Sequence, residues 1–354
     1  MSPPPSRMSA VRAFKTRLPR VFEIQPQSLY AKLSRLAFYE TPDRASLGGL
    51  LSDLTRAVNA RDFESLTWET LVFHVGGSPR EVRLDGLENN QLLGACRDIE
   101  YFRHGYEPEV ACAIDCLTGP DAVIVDAGSN WGPITFQCAL RPAFRGRVYS
   151  FEPQPRAYSM LSRIVDELGL GETVRPMPLA LSDRAGEAYL SEEAWSGNVA
   201  LVGGATSRRC RTARLDELAI EDPQLIKIDV EGHEASVIEG ARNIIERARP
   251  LLIFEDWQAN SKAHFDALSD AGYRFHVLGW LDPFANSFDA EPPMRSDIQV
   301  LAALPFALPE RATLPDRINV LATPASWCAG TAVDAVSVRT QPAAEPNPKE
   351  HVPC

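Results

Sequence analysis

The 354-residue sequence lacks two features that would each define a class of protein. It has no apolar run near the roughly 18 to 20 residues that a membrane-spanning helix needs. Basic residues are in the minority, with 36 lysines and arginines against 47 aspartates and glutamates. The formal net charge of −11 argues against nucleic acid as the main partner, because binding to phosphates needs a basic surface. We therefore expect a protein without a transmembrane segment that acts on a small, neutral or weakly charged acceptor.

Cysteines are few and scattered along the chain. Cys112 and Cys116 are one helical turn apart, but no second Cys or His pair completes a zinc site. Free thiols in an odd number are typical of a reducing compartment. The sequence thus predicts a cytoplasmic protein without a metal site, and it leaves the oligomeric state open.

Composition and periodicity divide the chain into four segments. Residues 1–24 are rich in proline and basic residues and predict a disordered leader; contact with an anionic membrane surface or organelle targeting are the alternatives. Residues 25–105 predict a small α+β cap, with helical apolar spacing over 27–60 before a glycine-turn hairpin. Residues 106–325 predict the main domain. Residues 334–354 have no periodicity and predict a disordered tail.

The stretch from Val123 to Gly132 organises the main domain. It begins with β-branched apolar residues, as in a strand buried within a parallel sheet, and Asp126 follows them. Gly128, Asn130 and Gly132 then form a turn before the expected start of a helix. A strand, a glycine turn and a helix N-terminus together can hold a nucleotide, because free backbone N–H groups point at the ligand. An ordinary turn between strand and helix is the alternative.

Strands and helices alternate after this turn, which indicates a mostly parallel, doubly wound α/β sheet covered on both faces. Strands are predicted at 147–151, 174–179, 225–230, 251–254 and 274–278, and helices at 133–140, 156–168, 235–247 and 261–271. A last, antiparallel strand could be 298–301 or 318–322, and the sequence does not decide between them.

Polar residues follow several predicted strands at their carboxyl ends, where open α/β sheets bind ligands. Glu152 follows the second strand, and a carboxylate at this place can accept both hydroxyls of a ribose, which suits an adenosine-containing cofactor. Ser182 and Asp183 follow the third strand and could hydrogen-bond an adenine edge. The Ser-Asp pair is also common turn chemistry.

The fourth strand ends in the densest group of ionisable residues. Asp229 is at its tip, and Glu231 and His233 are in the following turn. Burying such groups together is costly unless they are paired or used, so we predict a site role for Asp229. Glu255 and Asp256 follow the fifth strand and are expected to open toward the same crevice. A divalent metal held by Asp229, Glu231 and Glu255 is an alternative that this cluster alone does not indicate.

In this order the motifs resemble the FkbM family of S-adenosylmethionine-dependent methyltransferases, over roughly residues 106–255. The motifs are Val-Asp-Ala-Gly-Ser-Asn-Trp-Gly at 125–132, Phe-Glu-Pro at 151–153, Ala-Leu-Ser-Asp at 180–183, Arg-Leu-Asp-Glu-Leu at 214–218 and Ile-Lys-Ile-Asp-Val-Glu-Gly-His-Glu at 226–234. The resemblance implies the Rossmann-like class I methyltransferase fold, a seven-stranded sheet with its last strand reversed. It also implies methyl transfer, usually to a hydroxyl of a sugar, a glycolipid or another small molecule.

The resemblance implies the residues that hold S-adenosylmethionine, which are Asp126, Gly128, Asn130, Gly132, Glu152, Ser182 and Asp183. The catalytic residues are a hypothesis from the chemistry, because a weakly acidic alcohol needs a base to take its proton. The candidate bases are Asp229 and His233, with Glu231 and Glu255 as orienting partners. A nicotinamide-dependent oxidoreductase is one alternative, although its Gly-x-Gly-x-x-Gly fingerprint is missing. A non-catalytic nucleotide-binding protein with the same fold is another.

Overall fold

A computed structural model describes residues 11–16, 22–25, 68–85, 106–191, 207–258, 262–282, 287–289, 299–327 and 333–336. The cap helices predicted over 27–60 lie outside these ranges. The strands are β1 (Val11–Thr16), β2 (Phe22–Gln25), β3 (Trp68–Val75), β4 (Ser78–Asp85), β5 (Val123–Ala127), β6 (Arg147–Phe151), β7 (Val174–Met177), β8 (Ala180–Leu181), β9 (Gly186–Ser191), β10 (Ser207–Ala213), β11 (Leu225–Ile228), β12 (Leu251–Trp257), β13 (Tyr273–Asp282), β14 (Ser287–Asp289), β15 (Gln299–Phe306), β16 (Arg317–Pro324) and β17 (Val333–Val336). The helices are α1 (Pro108–Leu117), α2 (Pro133–Ala139), α3 (Pro155–Leu168), α4 (Glu234–Gly240), α5 (Arg242–Ala248) and α6 (Ala263–Asp270).

The largest sheet has eleven strands and contains the fold that the motifs predict. Its central order is β13-β16-β12-β11-β5-β6-β7, and β5, β6, β7, β11 and β12 pair in parallel. β16 is antiparallel to both of its neighbours, β12 and β13. The expected seven-stranded sheet with one reversed strand is therefore confirmed, and the protein has the α/β fold of class I methyltransferases.

Both candidates for the last strand are strands, but only one is the reversed strand of the central order. Residues 318–322 fall in β16, which inserts between β12 and β13, whereas β15 pairs with the outer edge of β13. β15 would leave a row of unpaired backbone groups at the edge, and β1 pairs along it. β1 lies within the predicted disordered leader, and β17, which pairs with β1, reaches into the predicted disordered tail. At these positions the structure has strands where the sequence predicts disorder.

Two small sheets accompany the large one. β2, β3 and β4 form one of them, and β3 and β4 are the hairpin expected from the sequence. Gly76 and Gly77 make its two-residue turn with φ values of 57° and 82°, which is the left-handed geometry that favours glycine. β8, β10 and β9 form the other small sheet.

Helices cover both faces of the central sheet, which explains the continuous apolar run at the start of β5. Ile124 packs in one buried cluster with Phe136 of α2 and Leu161 of α3. Val125 packs in a second cluster with Ile238 of α4 and other apolar residues. Because successive residues of a strand point to opposite faces, the two clusters lie on the two sides of the sheet.

The predicted helix over 235–247 is two helices, α4 and α5, that meet at Ala241. The carboxylate of Asp216 accepts the backbone N–H groups of Asn243 and Ile244, at 3.0 and 2.9 Å. A residue distant in sequence thus caps the first turn of α5, which the local pattern does not reveal.

Candidate active site

The glycine turn lies between the ends of two strands. The backbone N–H groups of Gly128 and Ser129 both donate to the carbonyl oxygen of Phe151, at 2.9 and 3.0 Å. Gly128 has φ 77°, and a Cβ atom there would lie 1.8 Å from the backbone oxygen of Asp229. The residue must therefore be glycine, because the turn passes directly against the end of β11.

Glu152 connects this turn to the end of β6. Its Oε2 accepts the backbone N–H of Asn130 and its Oε1 accepts that of Gln154, both at 2.8 Å. Asn130 has the left-handed φ of 50°, which directs its N–H toward this carboxylate. Burial raises the pKa of Glu152 to about 7, although the two N–H groups lower it.

Asp126 is fully buried beneath the turn. Its Oδ2 accepts the hydroxyl of Thr135 at 2.6 Å, and the Thr135 and Ser150 hydroxyls are 2.8 Å apart. Its Oδ1 is 3.6 Å from the Nζ atom of Lys227. These contacts join β5 to the first turn of α2, and they are made within the protein core.

Lys227 is a buried cation among carboxylates. Its Nζ atom is 3.2 Å from Oδ2 of Asp229 and 3.5 Å from the carbonyl oxygen of Gly128. Burial alone would lower the pKa of this amine, but Asp229, Asp126 and Glu107 raise it. Lys227 therefore stays charged and holds the glycine turn against β11.

Four carboxyl groups gather around the tip of β11, and we call Glu107, Asp229, Glu231 and Glu255 the acid cluster. Glu231 stands in the turn with a left-handed φ of 53°. Desolvation, followed by repulsion from Asp229 and Glu255, raises its pKa to about 7. The structure thus brings together three of the predicted catalytic residues.

Glu255 and Asp256 face opposite sides of β12, so the expectation that both open toward one crevice is wrong for Asp256. Oε2 of Glu255 accepts Nε1 of Trp257 at 2.8 Å, and its Oε1 accepts Nε of Arg317. Asp256 is fully buried and binds Arg311 and Lys262 instead. The alternation of side chains along a strand separates the two acids.

Glu107 is the member of the acid cluster that the sequence does not single out. It precedes Pro108 at the start of α1, but its side chain makes no capping hydrogen bond there. Its carboxyl group is buried, and burial, followed by repulsion from Asp229, raises its pKa to about 8. Tyr106 is next to it, and burial together with Glu107 and Asp229 raises the pKa of this phenol. An acid before a proline-led helix resembles an ordinary helix start, so no local signal marks it.

His233 lies beside the residues predicted to be near adenine. Its Nε2 is 3.0 Å from the hydroxyl oxygen of Ser182, which in turn donates to Oδ1 of Asp183 at 3.0 Å. Burial lowers the pKa of this imidazole, although Asp183 raises it. The described partner of His233 is thus Ser182, and its role as a base stays a prediction.

Gly132 and Trp131 serve the packing of the turn. A Cβ atom on Gly132, at φ 96°, would lie 2.6 Å from side-chain atoms of Leu161 and Phe136. Trp131 is buried in the same apolar cluster as these two residues. This places the bulky residue of the turn in the core of the domain.

The described part of the chain has neither a metal-binding cluster nor a membrane-spanning helix. Among those residues, no group of three or more His, Cys, Asp or Glu side chains is arranged to hold a metal ion. Within the same ranges, no helix is both long and apolar enough to cross a membrane.

Comparisons with known proteins point to one family. The family described as Methyltransferase FkbM domain matches residues 126–275. The hexuronic acid methyltransferase AglP of Haloferax volcanii is 28% identical over 138 residues, which is 38% of this chain and 55% of AglP. The 2-O-methyltransferase NoeI of Sinorhizobium fredii is 29% identical over 166 residues, 38% of this chain and 64% of NoeI. The matches therefore span less than two thirds of either relative.

A crystal structure of methyltransferase FkbM from Methylobacillus flagellatus is also similar, with a TM-score of 0.37 and 16% identity over 60% of this chain and 52% of that one. The matched residues include the glycine turn, Glu152 and the tip of β11 with Asp229 and Glu231. Residues 126–275 of this chain therefore match the methyltransferase FkbM domain family.

Proposed function

We propose that this chain transfers a methyl group from S-adenosylmethionine to a hydroxyl oxygen of a sugar or another small-molecule acceptor. One observation carries the proposal: the carboxyl ends of β5, β6, β11 and β12 bring the glycine turn, Glu152 and the acid cluster to one edge of the sheet. Open α/β sheets bind their ligands at this edge.

The residues at this edge suit the cofactor. Each carboxylate oxygen of Glu152 accepts one backbone N–H and keeps a further lone pair, so the two oxygens can also accept the hydroxyls of a ribose. Ser182 and Asp183 would lie near the adenine. Asp126 and Gly132 would act indirectly by shaping the turn, and Gly128 and Asn130 would present their backbone to the methionine and ribose parts.

The charge of the acid cluster also suits the cofactor. A sulfonium sulfur carries a positive charge, and the acid cluster has four carboxyl groups that face Lys227 and Arg317. The surplus of acids favours a cationic ligand, most strongly where water is excluded. Asp229, at the tip of β11, would face the sulfonium.

Methyl transfer to an alcohol needs alignment and a base. Holding oxygen, methyl carbon and sulfur in line can supply on the order of 7 to 11 kcal/mol in favourable systems. A positioned base adds about 10² to 10⁴ in rate. Asp229 and His233 are the predicted bases, and Glu231 and Glu255 would orient the proton transfer from the rim of the acid cluster.

The acceptor class is supported by the names of the two relatives, a hexuronic acid methyltransferase and a 2-O-methyltransferase. The name of NoeI specifies methyl transfer to an oxygen, and the hexuronic acid named for AglP is a sugar acid that carries hydroxyl groups. We propose a sugar hydroxyl, free or within a glycolipid, as the first acceptor class to test. The site needs no nucleic acid for this chemistry.

Calorimetric titration of the full chain with S-adenosylmethionine and, separately, with NADH tests the cofactor. Micromolar binding of S-adenosylmethionine alone supports the proposal, and binding of NADH alone would overturn it in favour of an oxidoreductase. Transfer of a labelled methyl group to hexuronic acids and neutral sugars then tests the acceptor. Cofactor binding without transfer to any hydroxyl would favour the non-catalytic alternative.

A further inference from the structure

The charges around Lys227 do not balance, because there are more carboxyl groups than cations. Three carboxyl groups, those of Asp126, Asp229 and Glu107, surround this one buried ammonium and raise its pKa. Asp229 is 3.2 Å from the ammonium, and Asp126 is 3.6 Å from it and also accepts the Thr135 hydroxyl. One cation cannot offset three carboxylates of which two, those of Asp126 and Glu107, are buried, because each isolated buried charge is strongly unfavourable.

Of these three carboxyl groups, Glu107 has the fewest interactions that would stabilise a negative charge. It is only 6% exposed, and among the described residues its Oε2 is a buried atom without a hydrogen-bond partner. The charged and titratable groups that act on it are Asp229, Lys227, Glu109 and Glu255, and three of these four are acids. A proton on Glu107 therefore balances the site when no ligand is present.

The backbone of Glu107 is also unusual. It has φ 42° and ψ 63°, a left-handed conformation that a side chain with a Cβ atom seldom adopts. Such a conformation costs on the order of 1 to 3 kcal/mol and persists where the surrounding structure enforces it, often at functional sites. Here it directs a carboxyl group into the acid cluster instead of toward the N–H groups of α1.

We propose that Glu107, in place of Asp229 or His233, is the general base of the methyl transfer and that binding of the sulfonium cation ionises it. This inference rests on the proposed function. Burial and Asp229 raise the pKa of Glu107 to about 8, so near pH 7 most of the cofactor-free protein carries this proton. A second positive charge beside Lys227 would lower that pKa, and the proton would leave to solvent.

The proposed step balances atoms and charge. The acceptor oxygen forms a bond to the methyl carbon, and the carbon–sulfur bond breaks with its electron pair remaining on sulfur. The hydroxyl proton passes to the carboxylate of Glu107 as the sulfonium charge disappears. The site then holds a neutral thioether and a protonated Glu107, which restores the charge balance that it had before the cofactor bound.

Proton release on binding tests this inference without measuring turnover. S-adenosylmethionine is titrated calorimetrically at pH 7 in two buffers with different ionisation enthalpies, and S-adenosylhomocysteine, which lacks the sulfonium, is the ligand control. We compare wild type with Glu107→Gln, which keeps the shape of the side chain, and with Glu187→Gln. Glu187 is an exposed acid on β9 that pairs with Arg209 and is not among the groups that act on Glu107.

We expect wild type and Glu187→Gln to release close to one proton more with S-adenosylmethionine than with S-adenosylhomocysteine. Glu107→Gln should bind S-adenosylmethionine and lose this difference, and its methyl-transfer rate should fall about 10² to 10⁴-fold. Equal proton release by wild type and Glu107→Gln would overturn the inference while leaving the proposed function intact. Wild type that is folded by circular dichroism but binds neither ligand would overturn the proposed function, and the role of Glu107 with it.

The inference can be tested even if Glu107→Gln does not fold. The comparison of the two ligands on wild type alone already requires a difference in proton release, and its absence would overturn the inference. If Glu107→Gln binds S-adenosylmethionine with the same proton release as Glu187→Gln and retains the wild-type rate, Glu107 is not the base.

Discussion

The backbone N–H of Asn130 donates to Oε2 of Glu152 at 2.8 Å, so the glycine turn and the end of β6 share one carboxylate. The other oxygen accepts the N–H of Gln154 at the start of α3. A single side chain thus fixes the conformation of the turn and remains available to a ligand.

Replacing this side chain by Glu152→Gln should weaken the binding of S-adenosylmethionine at least about tenfold. An amide NH₂ group would face one of the two backbone N–H donors, and a hydrogen bond to a charged group contributes about 1.5 to 3 kcal/mol. Calorimetric titration measures the change. Glu187→Gln, an exposed acid on β9 that pairs with Arg209, is the control and should bind like wild type. Unchanged affinity in Glu152→Gln would argue against a cofactor role for Glu152.

The close approach of the glycine turn to β11 predicts a large loss of stability in Gly128→Ala. The new Cβ atom would lie 1.8 Å from the backbone oxygen of Asp229, and φ is 77°. Gly169→Ala is the matched control, because it has φ 68° and a Cβ atom there would meet nothing within 4 Å. We expect the control to lose only the strain of the left-handed conformation, about 1 to 3 kcal/mol. In urea denaturation, equal losses in the two variants would contradict the steric argument.

Because Asp256 lies in a cluster of ion pairs, Asp256→Asn should lower the stability of the fold and leave the affinity for the cofactor unchanged. Asp256 accepts Lys262 at 3.1 Å, binds the buried Arg311 and lies 3.3 Å from Nε2 of His264. Removing one partner of a buried ion pair typically costs about 3 to 5 kcal/mol. We therefore expect Asp256→Asn to lose stability in urea denaturation while S-adenosylmethionine binding at low temperature is kept. Weakened binding in the folded variant would show that Asp256 belongs to the active site.

The pH dependence of this contribution follows from the pKa of Asp256. Burial would raise that pKa, but the contacts with His264, Arg311 and Lys262 outweigh it and lower the pKa below the ordinary 3.8. The contribution is thus present above that ordinary value and is lost as the pH falls through the lower, folded value. Asp222→Asn, which removes an exposed ion pair with Arg247, should change stability little at neutral pH.

Local patterns predicted the elements that depend on local sequence. The β-branched run at Val123 marks a strand whose two faces are both covered, and the helix starting at Pro133 follows from its proline and the glycine turn. The sequence does not identify the reversed strand, because two apolar segments are equivalent as long as only local pattern is considered. β16 is distinguished from β15 only by the strands on either side of it.

The sequence predicts the order of the site residues along the chain. It does not predict how deeply each of them is buried. Glu152, Asp229 and Glu231 follow strands, so their common edge could be inferred from the fold. The separation of Glu255 from Asp256 also follows from strand alternation, which the expectation of one crevice overlooked. Glu107 could not be found in this way, since its burial and its interactions with Lys227 and Asp229 exist only in the folded chain.

The raised pKa of Glu107 predicts how stability changes with pH. A carboxyl group that is protonated more readily in the folded state than in the unfolded state stabilises the fold at low pH. That stabilisation is lost as the pH rises from about 4.5 through the folded pKa of about 8. Glu107→Gln has no such titration, so it should become progressively more stable than wild type between pH 5 and about 8. Urea denaturation of both proteins at several pH values in this range measures the difference. A constant difference across the range would mean that Glu107 is ionised in the cofactor-free protein, and the sulfonium would then have no proton to expel.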